Sequence, residues 1–362
     1  MRSILFSSFS LGKLSLDNRV VMAPMTRCRA TADHLPTPVM AEYYGQRASA
    51  GLIITEGTSP SPNGLGYARI PGLFSAAHVA GWRKVTEAVH AQGGHLFVQL
   101  MHTGRTSHPL NMPAGARILA PSPVALGGTM WTDQQGLQPY PVPAEMTEAD
   151  IHQAIEEFAH ASAQAVDAGF DGVELHGANG YLLDQFLNTA TNQRTDGWGG
   201  SVANRIRFVV EVARAVVARI GAHRVGLRIS PYGVFNDMKP DPEMEALYAA
   251  LAREVSALGL AYLHVVDHSS MGAPQVGASI KHVLRSTFKG AYILSGGYDS
   301  AARAESDLDD GYGDLVAFGR PFISNPDLVK RLKTQQPLAA PVADTFYTPG
   351  PAGYTDYPTL TA

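Results

Sequence analysis

Residues 172–187 read GVELHGANGYLLDQFL. The run Gly172-Val173-Glu174-Leu175 stops at His176, and Asn179 and Tyr181 follow three and five residues later. A short, mostly apolar run without strict alternation suits a strand covered on both faces. In a parallel barrel the polar exit of such a strand is the end that carries chemistry. Whether His176, Asn179 and Tyr181 are metal ligands, helpers of a nucleophile, an anion clamp or plain loop residues depends on what surrounds them.

The pattern recurs. Strand-like runs that end in polar or glycine residues fall at 20–24, 51–58, 95–102, 172–177, 225–231, 261–269, 292–297 and 314–320. Helical periodicity fills 75–93, 147–169, 203–221, 240–259, 278–289, 299–311 and 325–333, with Ser75 and Thr147 as N-caps. Eight runs alternating with helices predict an α/β fold, a closed (β/α)8 TIM barrel, rather than an open sheet. Residues 9–11 and 13–16, around Gly12, are expected to form an N-terminal hairpin that closes the barrel floor. The Pro- and Gly-rich stretch 103–145 has no period and reads as a long capping excursion, or lid, after the third strand. No linker divides the chain, so 1–362 is expected to be a single domain.

Composition narrows the function. The chain is 45% hydrophobic and 17% charged, which supports a large core and argues against disorder. A net charge of −4 without a basic tract disfavours nucleic acid or an anionic membrane surface as partner. The single cysteine, Cys28, excludes an internal disulfide framework and suits a cytoplasmic location. Gly12, Lys13, Asp17 and Asn18 interrupt the N-terminal stretch, so no signal peptide is expected. No segment approaches the roughly 20 apolar residues of a membrane span. Both a monomer and a homodimer are compatible with the sequence.

Two strand exits have a direct physical meaning. LSGGYDSAA (294–302) and FGRPFISNPDL (318–328) leave the seventh and eighth strands, where barrels bind phosphate. Bare amides at Ser295, Gly296, Gly297 and Gly319 with a bidentate Arg320 would make that cradle; the plainer reading is tight turns. Gln99, Thr26 and Arg228 elsewhere on the rim suit a planar heterocycle, Gln99 offering donor and acceptor and Arg228 a fixed positive charge. Arg228 also suits a structural ion pair.

These segments, with NRVVMAPMTRCR (18–29), ITEGT (54–58), HLFVQLMHTGR (95–105), RTDGWGGSVANRIRF (194–208), LRISP (227–231) and FYTPGPAGYTDYPTL (346–360), run in the order of one family. The chain resembles the Old Yellow Enzymes, FMN-dependent ene-reductases, and among them the branch with pentaerythritol tetranitrate reductase and morphinone reductase. The resemblance implies non-covalent FMN, with NADPH or NADH as reductant and ping-pong kinetics. It implies flavin contacts from Pro24, Met25, Thr26, Gly57, Gln99, Arg228 and Phe346, with Thr26 tuning the flavin potential. The phosphate would sit on Ser295, Gly296, Gly297, Gly319 and Arg320. His176 and Asn179 would hold the oxygen of an electron-poor alkene or nitro compound, and Tyr181 would donate the proton. Tyr67, Met101 and Tyr347 would line the substrate pocket. Nitrate esters, nitroaromatics and quinones are alternative substrates of the same oxygen clamp.

The chain departs from the family at Met101, where a Trp is usual. A thinner, flexible side chain is expected to leave a roomier pocket and to alter substrate range. Ala203 replaces a usual Glu and is expected to weaken the helix start at Ser201. Cys28, His102, His264 and His268 read as packing residues. A metal-dependent barrel hydrolase would need three converging ligands, yet the first strand has no His-x-His; a Schiff-base aldolase would need a rim lysine, and none is present. A noncatalytic binding protein would leave the furnished rim unused.

Overall fold

The computed structural model describes residues 3–360; the ends of the expected 1–362 domain, Met1, Arg2, Thr361 and Ala362, lie outside them. A hairpin, β1 (Phe9–Leu11) and β2 (Leu14–Leu16), opens the chain. The barrel strands are β3 (Val20–Met22), β4 (Leu52–Thr58) and β5 (Leu96–Leu100), then, after four short strands, β10 (Gly172–Gly177), β11 (Val225–Ile229), β12 (Tyr262–Val266), β13 (Ala291–Ser295) and β14 (Leu315–Phe318). All eight pair in parallel, and β14 closes on β3. The expected barrel is therefore formed, with strands shorter than the apolar runs because their polar ends have left the sheet.

Two apolar layers hold it. Inside the barrel, Val21, Ile54, Phe97, Tyr262 and Ile293 pack on Leu11 and Leu16 of the hairpin, which is the floor. A larger layer lies between strands and helices and includes Trp82, Phe158, Val173 and Leu247. Each such side chain, fully buried, contributes roughly 1.5–3 kcal/mol.

The helices are α1 (Pro38–Gly45), α2 (Ala76–His90), α3 (Glu148–Asp167), α4 (Leu182–Leu187), α5 (Val202–Ile220), α6 (Met244–Ala257), α7 (Ala278–Thr287), α8 (Ala301–Asp309), α9 (Arg320–Ser324) and α10 (Leu328–Lys333). Thr147 and Asp150 form a capping box on α3. Ser201 still caps α5 by accepting from Asn204 N at 3.3 Å, without the glutamate the family usually supplies. No helical periodicity in the sequence marks α1, α4 or α9. The α4 helix is buried on all sides, so LLDQFL has no amphipathic stripe to announce it.

The excursion is ordered rather than formless. The strands β6 (Leu119–Ala120) and β9 (Ala144–Glu145) pair in parallel, and β7 (Thr129–Thr132) and β8 (Gly136–Pro139) form a hairpin. Among the described residues no helix is long and apolar enough to cross a membrane.

Candidate active site

A cavity of about 720 Å³ opens at the C-terminal mouth of the barrel. Pro24, Met25 and Thr26 after β3, Ser295, Gly296 and Gly297 at β13, and Gly319 and Arg320 after β14 wall one side. Asn179, Arg228, Phe346 and Tyr347 also line it. The other residues expected at the site (Gly57, Tyr67, Gln99, Met101, His176 and Tyr181) do not line this cavity.

Main chain makes the cradle side. Gly296 has φ +130°, and a Cβ there would lie 2.1 Å from Asp267 O, so no side chain fits. At Gly319 a Cβ would meet only Met25 Sδ at 3.7 Å and Ala23 Cβ at 3.9 Å. Internal packing therefore leaves that space open, as a phosphate cradle requires. Arg320 is exposed and has no ion-pair partner among the described residues. Glu56, at the end of β4, accepts from Arg27 N at 3.2 Å and from Tyr44 Oη at 3.2 Å, which ties the β3 exit to its neighbour.

Side chains make the opposite side. Register places Gln99 level with Glu174, and His176 level with Arg228 and His264. Gln99 Nε2 donates to Glu174 Oε1 at 2.8 Å, and His264 Nδ1 lies 2.8 Å from Glu174 Oε2. Arg228 Nε and His176 Nδ1 are buried without a hydrogen-bond partner. Burial first, then the Arg228 charge and His264 and His268, pushes His176 well below the usual imidazole range. It is therefore a neutral ring able to donate one N–H. Unpaired polar atoms at this depth are rare in finished structures, and they fit an edge-on polar heterocycle such as the flavin of FMN.

The loop after β10 carries the remaining groups. Asn179 has φ 61°, and its N donates to Ser230 Oγ at 2.9 Å. Gly180, at φ +72°, donates to Asp184 Oδ2 at 2.8 Å, and a Cβ there would meet Phe235 O at 2.7 Å. Asn236 Nδ2 donates to Asn179 O at 2.7 Å, bracing the loop from the β11 exit. Asn179 Oδ1 has no partner. The Tyr181 and Tyr67 hydroxyls lie 3.0 Å apart, and the Tyr181 ring is 5.0 Å from that of His176. Burial pushes the Tyr181 phenol up to about 12, so it keeps its proton at neutral pH.

Met101 is 1% exposed and packs with Cys28, Leu65 and Ile70, with Tyr67 and Tyr181 against them. A Cβ at Gly57 would fall 2.5 Å from Met101 Sδ, so a side chain there would require the flexible methionine to move aside. The methionine thus shares one packed cluster with the two tyrosines. Cys28 is buried, with its thiol pushed up to about 12 by burial. His102 and His268 are held low, at about 3 and about 4, chiefly by burial. His268 nevertheless lines the cavity, with Phe235 and Met271, which the sequence reading did not single out. Among the described residues no three His, Cys, Asp or Glu side chains converge as metal ligands.

Two arginines also escaped the reading. Arg27 Nε and Arg29 Nη1 donate to Phe346 O at 3.1 and 2.7 Å, and Arg29 Nη2 donates to Thr345 O at 2.8 Å. They hold the C-terminal segment so that Phe346 lines the cavity. Backbone carbonyls more than 300 residues away leave no local signal beside TRCR.

Comparison with known proteins places this arrangement. The family model described as "NADH:flavin oxidoreductase / NADH oxidase family" matches residues 4–339. The chain is 42% identical to 12-oxophytodienoate reductase 7 of Oryza sativa subsp. japonica, over 98% of this chain and 94% of that one. It is 43% identical to a probable flavin mononucleotide-dependent alkene reductase of Leishmania infantum, over 98% and 97%. A solved structure of morphinone reductase in complex with tetrahydroNAD superimposes with a TM-score of 0.94 at 44% identity, covering 99% of this chain and 98% of that one. The chain therefore belongs to the NADH:flavin oxidoreductase / NADH oxidase family of FMN-dependent, NAD(P)H-using ene-reductases, the Old Yellow Enzymes.

Proposed function

We propose that this protein, as a single domain, reduces the activated C=C bond of α,β-unsaturated carbonyl or nitro compounds. When bound and reduced by NADPH or NADH, FMN would supply the hydride for the β-carbon. His176 and Asn179 donate hydrogen bonds to the conjugated oxygen, where negative charge grows as the hydride arrives. Tyr181 then gives its hydroxyl proton to the α-carbon, and Tyr67, 3.0 Å away, is placed to reload it. The product gains one hydride and one proton across the former double bond. Gln99 and Arg228 would hold the polar edge of the flavin, and the cradle with Arg320 would hold its phosphate. Phe346 and Thr26 would bound the flavin, and Met101, Tyr67 and Tyr347 would bound the substrate.

The observation that carries the reading is the pairing of a neutral, buried His176 with a Tyr181 that keeps its proton, their rings 5.0 Å apart. A neutral donor stabilises an oxyanion only as it forms, which is selective transition-state stabilisation. The chain has no GxGxxG after a strand, and in this reading the nicotinamide uses the same mouth as the alkene and leaves first. The tetrahydroNAD held by the similar morphinone reductase structure agrees with nicotinamide docking without a dinucleotide fold.

The test is anaerobic stopped-flow reoxidation of the reduced enzyme by enones, maleimides, nitroalkenes and nitrate esters. His176→Ala should slow reoxidation by about 10²–10³. Wild-type rates on every substrate would remove the anion clamp.

A further inference from the structure

Glu174 is fully buried on β10, level with Gln99 on β5 and one layer below His176 and Arg228. An ionised carboxylate only accepts hydrogen bonds. The Gln99 group turned to Glu174 Oε1 at 2.8 Å must therefore be its NH2, and Gln99 Oε1 then receives no protein donor among the described residues. The other carboxylate oxygen takes His264 Nδ1, which leaves His264 Nε2 unpartnered. Burial alone would raise the Glu174 carboxyl, but His264, Arg228 and Gln99 outweigh it and hold it below the usual range. A Coulombic pull from His264 needs a charged imidazole, whereas burial keeps that ring low. Arg228 and the two hydrogen bonds are therefore what keep Glu174 ionised. A buried carboxylate is costly unless paired in this way.

We propose that Glu174 is a positioning residue that sets what the barrel presents to the polar edge of the flavin. It fixes the Gln99 amide with its carbonyl free, and it offsets the Arg228 charge. This rests on the reading that FMN lies over Gln99 and Arg228. Without Glu174 the amide is free to flip and Arg228 stands unopposed, which favours the more electron-rich, reduced flavin.

The test is the midpoint potential of FMN-loaded Glu174→Gln, measured by spectroelectrochemistry beside FMN dissociation constants for both redox states. The expected result is a shift to more positive potential by about 30 mV, a tenfold change in the ratio of the two dissociation constants for a two-electron couple. A merely structural role would weaken both states together and leave the potential in place, and that result overturns the proposal. Should Glu174→Gln fail to fold, Glu174→Asp carries the test, since it keeps the charge but shortens the reach. Because the shorter side chain releases the Gln99 amide while still opposing Arg228, a smaller positive shift of the potential is expected there; weaker binding at an unmoved potential overturns the proposal. Arg228→Met separates this from the underlying reading. If it leaves the potential unmoved, the flavin does not lie over Arg228. If it lowers the potential while Glu174→Gln does nothing, only the role of Glu174 falls.

Discussion

On the cradle side of the mouth, ligand-facing groups are mostly main chain and open: Gly296, Gly297 and Gly319, with an exposed Arg320. On the opposite side the polar groups are buried side chains, Gln99, Glu174, His176 and Arg228, none more than 6% exposed, and of these Arg228 lines the cavity. Glycine amides bind an anion whatever the surrounding side chains are, and water screens the one arginine. The buried side has no such tolerance. Each of its groups is fixed by another, and an unpaired polar atom there is costly. Under the proposed function, the open half holds the cofactor and the closed half carries the chemistry.

If that division is right, the two halves should fail differently. Tyr181→Phe, on the chemical half, should slow alkene reduction by about 10²–10⁴, the range for a lost general acid. Reduction of FMN by NAD(P)H should be unchanged in the same protein, by stopped-flow absorbance. Equal loss in both half-reactions would show that the tyrosine merely shapes the mouth. Arg320→Ala, on the holding half, should weaken FMN binding only about tenfold, the low end for an exposed charge-assisted hydrogen bond. Turnover per bound flavin should be kept. A large loss of turnover at saturating FMN would erase the division.

The open half was legible in the sequence because it is local: SGG and GRP each fold onto a strand end. So were the eight strands and the capped α3, where apolar runs and a Thr-x-x-Asp box act within a few residues. The closed half was legible only as isolated residues. Gln99, His176 and Arg228 could be named, but not the Glu174 carboxylate that joins Gln99 to His264, because barrel register alone brings them together. The Arg27 and Arg29 hold on the C-terminal segment was invisible for the same reason. Met101 could be named as a departure, but not its packing with Cys28, Leu65 and Ile70 beside the two tyrosines.

The smallest expected effect concerns how the closed half is braced. Asp184 accepts from Gly180 N, and burial raises its carboxyl to about 7 from an ordinary value of 3.8. Between those values the native state keeps a proton that the unfolded chain has released. The stabilisation is therefore full below 3.8 and is lost as pH rises through 7. Asp184→Asn keeps an acceptor for Gly180 but has no proton to lose. Relative to wild type, the variant should gain on the order of 2 kcal/mol between about pH 5 and 8, read from denaturant unfolding at each pH. Its alkene reduction should change less than that of Tyr181→Phe, because Asn236 and Ser230 still brace Asn179. Parallel stability curves for the two proteins would mean that Asp184 titrates normally, and that this corner of the closed half is wetter than its burial implies.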